Sequence, residues 1–319
     1  MEAYPKTSIV SLNGRLSLDG IRLVNERGEN VVLRGISTHG IAWNPKTYHE
    51  ESIRTLVEQW GITLFRIAVY THEWGGYCTG QWKSKEEYRE VVDRLVDVCA
   101  NLGIYCIVDW HVLNEGSGDP NFTLEDSKEF WHHMSQRHQG KPHVLFEICN
   151  EPNGDDVTWE VVKRYAEEII PIIRNIDPER LIICGTPTWS QDVDIAARNP
   201  LLYDNVIYSL HFYAGTHGME LRNRAEQAMK EGLPVMVSEF GLSRADGDGG
   251  VFLKECDEWL EWMEINKLSW VNWSFCDVDE SSAALLPGAA EKGDWNCCSP
   301  SGVWLKSCLR RLNAIFISL

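Results

Sequence analysis

Eight short apolar runs, each followed by a polar or amphipathic stretch, limit what this chain can fold into. They are Val31–Ser37, Ile62–Tyr70, Ile104–His111, Val144–Cys149, Leu181–Thr186, Val206–Phe212, Val235–Phe240 and Leu268–Phe275. A strand buried on both faces reads as a continuous apolar run rather than an alternation. Between the runs lie amphipathic segments, clearest at Lys85–Leu102, Thr158–Ile176, Glu220–Lys230 and Val251–Asn266, with Leu95, Val98, Cys99 and Leu102 at helical spacing. Strands interleaved with helices predict a parallel sheet covered by helices, and eight is the number that closes a barrel. A doubly wound sheet is the competitor, but it needs a Gly-rich phosphate turn after its first strand, and Arg34-Gly35-Ile36 is not one. The 319 residues suit a barrel of about 250 residues with insertions. No Pro/Gly/Ser linker divides them. The expectation is one (β/α)8 TIM barrel domain over residues 1–319. A short N-terminal β-hairpin is expected over about 16–34, turning at Arg27-Gly28-Glu29.

In such a barrel the active site forms at the C-terminal ends of the strands. Those ends carry His39, Arg66 to Tyr70, His111, Asn150-Glu151, Trp189, His211 with Tyr213, Glu239 and Trp273. A strand end is often polar, which accounts for one or two of these residues and not for the whole set. Glu151 ends the fourth run and Glu239 the seventh, on opposing parts of the rim. Two carboxyl groups facing each other across a cleft are what glycosidic hydrolysis needs: one protonates the leaving oxygen, and the other attacks the anomeric carbon or activates water. The net charge of −17 argues against a nucleic-acid partner and suits a neutral one. Fourteen tryptophans supply material for large cores and for sugar-stacking surfaces.

Asn150-Glu151-Pro152-Asn153-Gly154 resembles the Asn-Glu-Pro signature of glycoside hydrolase family 5, in the cellulase subgroup of bacterial endo-β-1,4-glucanases. The likeness extends from about residue 12 to about residue 312. It takes in Trp60-Gly61-Ile62, Arg66, Asp109-Trp110-His111, Ile170 to Asn175, Thr188 to Val193, His211 to Gly218, Val237-Ser238-Glu239 and Asp279 to Ala284. The resemblance implies a retaining endo-β-1,4-glucanase with Glu151 as acid/base and Glu239 as nucleophile. It further implies that Arg66 and Tyr213 support Glu239, that Asn150 binds the sugar 2-OH, and that His111 and His211 hold hydroxyls and orient carboxylates. His39 joins the substrate-binding set, and Trp273, on a cis peptide to Ser274, forms the floor of the sugar site. Trp43, Tyr70 and Trp189 are platforms for further sugars. The same catalytic set serves a β-mannanase, a mixed-linkage glucanase or a xyloglucanase, so these stay open beside the β-1,4-glucan. A binding protein on a retired hydrolase scaffold is disfavoured, because both carboxylates and Arg66 are present.

Two departures stand out: Phe240 where similar enzymes carry Trp, and Val278 where they often carry a Lys that contacts a distal sugar. The aromatic segment Trp74 to Trp82 either extends the cleft or packs on the rim. No cofactor or metal is expected: His39, His111 and His211 lack ligand spacing, and Asp246-Gly247-Asp248-Gly249-Gly250 lacks the remaining ligands of a calcium loop. The ten cysteines include no Cys-x-x-Cys pair and are expected to be mostly reduced. No apolar run is long enough to span a membrane. Met1 to Pro5 has neither the basic nor the apolar region of a signal peptide. The resemblance implies a secreted protein whose leader is not in this sequence, a monomer or one module of a larger enzyme. Short connections after the strands imply a groove open at both ends, and so endo attack.

Overall fold

The computed structural model describes residues 4–313. A two-stranded antiparallel hairpin, β1 (Ser17–Asp19) and β2 (Arg22–Val24), precedes the barrel. The barrel strands are β3 (Arg34–Thr38), β4 (Leu64–Tyr70), β5 (Tyr105–His111), β6 (Val144–Glu147), β7 (Ile182–Cys184), β8 (Val206–Tyr213), β9 (Val235–Gly241) and β10 (Trp270–Phe275). They pair in sequence order, all parallel, and β10 returns to β3 to close the ring. The expected (β/α)8 barrel is therefore present.

β1 and β2 turn at Gly20-Ile21, between Asp19 and Arg22, and the expected turn at Arg27–Glu29 follows it, bridged antiparallel by Val24 and Asn30. Gly20 takes φ 62°, the left-handed conformation that a tight turn needs. Residues 25–29 make a second turn, in which the Asn25 N–H donates to Glu29 O and the Val31 N–H donates to Leu23 O. That second turn draws Val31–Leu33 toward the hairpin, which is why β3 begins later than its apolar run.

Helices cover the barrel as the periodicity predicts. The first long one spans Lys85–Leu102. Ser84 and Glu87 form a capping box at its start, and Gly103, at φ 71°, ends it. Helices Trp159–Ile176, Met219–Lys230 and Leu253–Ile265 fill the other expected segments. No helix among the described residues is long and apolar enough to cross a membrane. The strands carry apolar residues outward against the helices: Phe240 stacks on Phe212, which stacks on Trp259 of the Leu253–Ile265 helix. Inward positions recur with period two. On β4 they are Arg66, Ala68 and Tyr70, on β5 Asp109 and His111, and on β8 Ser209, His211 and Tyr213. The barrel floor beneath the mouth is thus a polar network rather than a stack of aliphatic side chains.

Candidate active site

The network starts from Arg66, which is fully buried. Its guanidinium faces three carboxylates, Asp109 at 3.1 Å, Glu147 at 2.7 Å and Glu239 at 2.9 Å. It also donates to Asn150 Oδ1 at 2.6 Å. Burial disfavours the Arg66 charge, but the three carboxylates more than offset this and raise its pKa. The Asn150 amide is fully engaged, because its Nδ2 also meets Val112 O and His111 Nε2.

Glu147 is the residue that the sequence reading missed. It lies fully buried on β6, one barrel layer below Glu151, and accepts from Arg66 Nε, Ser209 Oγ and Ser238 Oγ. Burial alone would push its pKa up, yet Arg66 and His211 bring it down to about 2. A signal existed in the sequence: a lone acid between Phe146 and Ile148 interrupts an otherwise apolar strand. A buried charge must be paired.

His211 links this floor to Glu151. Its Nδ1 lies 2.9 Å from Glu151 Oε1 and its Nε2 2.9 Å from Ser238 Oγ. Glu147 itself is 3.7 Å from the ring, so Ser238 relays that contact. Ser238 donates its one hydroxyl proton to Glu147 at 2.6 Å and therefore accepts from His211. Both ring nitrogens act as donors, which requires the imidazolium. Burial opposes that charge, but Glu147, Glu151 and Glu239 outweigh it and raise the His211 pKa to about 9.

The opposite histidines behave differently. Burial, then the Arg66 charge, lowers His111 to about 3, and burial, then His111, lowers His39 to about 4. His111 Nδ1 sits 2.6 Å from Asp109 Oδ2. Burial, together with the charges of Glu147 and Glu239, raises Asp109 well above the usual carboxylate range despite Arg66. Burial and the Glu239 charge also keep the Tyr213 phenol protonated, and it donates to Glu239 Oε1 at 2.8 Å.

Above this floor opens a cleft of about 740 Å³, within the usual range for ligand sites. His39, Tyr70, His111, Glu151, Trp189, His211, Tyr213, Glu239 and Trp273 line it. Arg66 and Asn150 lie buried beneath it. Trp43 stands behind Tyr70, with ring centroids 4.6 Å apart. The Trp273–Ser274 peptide is cis, and the Trp273 ring stacks on His111 at 5.2 Å. Oxygens of Glu151 and Glu239 and a nitrogen of His211 all lie within 4.8 Å of one another. That group could hold an ion only by giving up the hydrogen bonds just described. A second group, His39, Cys276 and Glu280, is equally compact, and there His39 is bonded to Ser274 Oγ.

The rim differs from expectation in two places. Phe240 turns outward into the helix layer, so its replacement of Trp concerns packing and not the cleft. The Asp246 loop bends over the cleft. Ala245, Asp246 and Gly247 line the cleft, and Ser281 and Ser282 bond to Asp248 and Gly247. Trp189 is held in the left-handed region at φ 54°, between Thr188 and Ser190 with the same sign. Its N–H donates to Pro152 O, just past Glu151, which fixes the exposed indole on the Glu151 side of the cleft. The buried cysteines Cys99, Cys106, Cys184, Cys256, Cys276 and Cys308 are thiols outside any disulfide.

Comparison with known proteins agrees with this geometry. Residues 24–279 match the sequence model of the Cellulase family, glycosyl hydrolase family 5. Endoglucanase A of Evansella cellulosilytica is 47% identical over 291 residues, covering 90% of this chain and 58% of that protein. The endoglucanase of Clostridium saccharobutylicum is 40% identical, covering 94% of this chain and 66% of its own length. The chain thus spans roughly three-fifths to two-thirds of these relatives. Among solved structures, cellulase Cel5C_n superposes with a TM-score of 0.95 at 59% identity, covering 96% of this chain and 95% of that one. The catalytic domain of Thermobifida fusca endoglucanase Cel5A, solved with cellotetraose, gives 0.89 at 36% identity, covering 94% and 99%. The closed barrel, the paired carboxylates at its mouth and these matches together show that the chain belongs to glycosyl hydrolase family 5, the cellulases.

Proposed function

We propose that this chain is a retaining endo-β-1,4-glucanase that cleaves internal bonds of cellulose-type glucans. The spacing of the two carboxylates carries this reading. Oxygens of Glu151 and Glu239 lie within 4.8 Å, whereas inverting pairs stand about 6.5–9.5 Å apart to admit a water. Glu239 Oε1 and Oε2 are held by Tyr213 and Arg66, which favours a fixed anionic nucleophile. Glu239 attacks the anomeric carbon as Glu151 passes its proton to the departing glycosidic oxygen. Glu151 then takes a proton from water, which attacks the same carbon and frees Glu239. The Trp273 indole stacks under the reacting sugar and His39 and His111 meet its hydroxyls as neutral rings, while Asn150, buried beneath the cleft, holds Arg66 in place. Trp189 and Tyr70, backed by Trp43, carry sugars to either side.

The polymer lies outside the cell, so we infer that the protein is secreted. It acts as a monomer, with residues 1–319 as one catalytic unit. The test follows viscosity loss and reducing ends together on carboxymethylcellulose. An early viscosity drop with few new ends is expected, with the β-anomer formed first by NMR. Release of one short product at nearly constant viscosity, or inverted product, would overturn the proposal.

A further inference from the structure

We propose that Trp74 and Trp82 form a distal sugar-stacking subsite that extends the cleft on the side away from Trp189. The proposal rests on the glucanase reading above and adds where a longer chain is held. Both indoles are solvent-exposed, at 63% for Trp74 and 56% for Trp82. Exposed tryptophans beside a ligand cleft are unusual, because burying such a ring is favourable.

The two rings join the cleft through Trp43. Its centroid lies 5.7 Å from Trp74 and 6.0 Å from Trp82, both edge-on, and Trp74 itself lines the cavity that holds Glu151 and Glu239. The exposed part of each indole offers flat apolar surface to a pyranose, whose C–H face stacks on aromatic rings.

The loop that carries them is built and not slack. The Tyr77 and Cys78 N–H groups donate to Tyr70 O and Thr71 O, Tyr77 is fully buried, and Tyr88 Oη donates to Gly75 O at 2.5 Å. Trp74 is held at φ 43°, in the left-handed region that non-glycine residues rarely occupy. A Cβ on Gly75 would come within 2.3 Å of the Trp82 ring, so only glycine lets that indole close over the loop.

The experiment compares kcat/KM on cellotetraose and cellohexaose for the full chain, W74A, W82A and the double variant. For the double variant, the cellohexaose-to-cellotetraose ratio should fall roughly two- to tenfold, the worth of a lost aromatic contact. Activity on cellotetraose, retained, reports an intact fold. The tyrosine versions, Trp74→Tyr with Trp82→Tyr, should recover most of the ratio. They also serve as the variants if the alanine pair fails to fold. An unchanged ratio in the alanine pair, or in its absence full loss in the tyrosine pair, would overturn the subsite. Failure of the unmodified chain to cleave either oligosaccharide would overturn the glucanase reading, and this proposal with it.

Discussion

At the scale of single residues, the chemistry depends on a group that substrate never reaches. Glu147 holds Arg66 directly and His211 through Ser238, and so touches both carboxylates of the mouth at one remove. Its hydrogen-bonding to His211, with the contributions of Glu151 and Glu239, is what raises His211 to about 9. Glu147→Gln should therefore lower the His211 pKa toward the ordinary value of about 6.5. Above that pKa the ring can no longer donate to both Ser238 and Glu151. The alkaline limb of the kcat/KM profile should move to lower pH, and histidine NMR should report the same shift. An unmoved limb with unmoved resonances would show that Ser238 alone orients His211.

At the scale of elements, most of the architecture is readable from hydropathy, because a buried parallel strand and an amphipathic helix leave opposite patterns. Lys85–Leu102 has the same bounds in sequence and structure, since a capping box and a left-handed glycine mark its ends. The turn at Arg27-Gly28-Glu29 is present, and the one at Gly20-Ile21 was missed because the two lie within about ten residues and a single turn suffices to explain the alternation. Glu147 was passed over because it sits inside an apolar run, where a strand pattern hides an acid. The rim was least legible: which loop bends into the cleft depends on bonds such as Ser281 to Asp248, far apart in sequence. Strand contact also gives a sharp prediction. A Cβ on Gly35 would approach Leu64 O to 1.8 Å, across the seam between β3 and β4. Gly35→Ala should cost about 1–3 kcal/mol or more, read as a lower denaturation midpoint in guanidinium. Unchanged stability would mean that the seam can open without loss.

At the scale of the whole molecule, buried histidines set how stability depends on pH. His39 and His143 are lowered to about 4 and His111 to about 3, each mainly by burial. A base whose folded pKa is depressed takes its proton more readily in the unfolded chain, so stability falls as pH drops from about 6.5 toward these values. His211 runs the other way: its contribution is complete below about 6.5 and is lost as pH rises through about 9. The melting temperature should peak near pH 6.5 and decline on both sides. One kcal/mol corresponds to roughly 2–4 °C for a domain slightly smaller than this one, so calorimetry between pH 4 and 10 resolves both flanks. A flat profile over the acid range would mean that those three rings are protonated in the folded protein.

The division between floor and rim has a consequence for how such a protein can change. Arg66, Glu147, His211 and Glu239 hang from strands, and Glu151 from the turn just past β6, all tied to one another, so altering any one of them disturbs the reaction itself. Trp74, Trp82, Trp189 and Asp246 hang from loops that touch the floor only at their ends. Grafting one of these loops should alter which polymer is gripped, and how far along it, while the bond-breaking step proceeds as before. Loop exchange between such barrels is therefore the economical route to new polysaccharide specificities, and the strands are the part to leave alone.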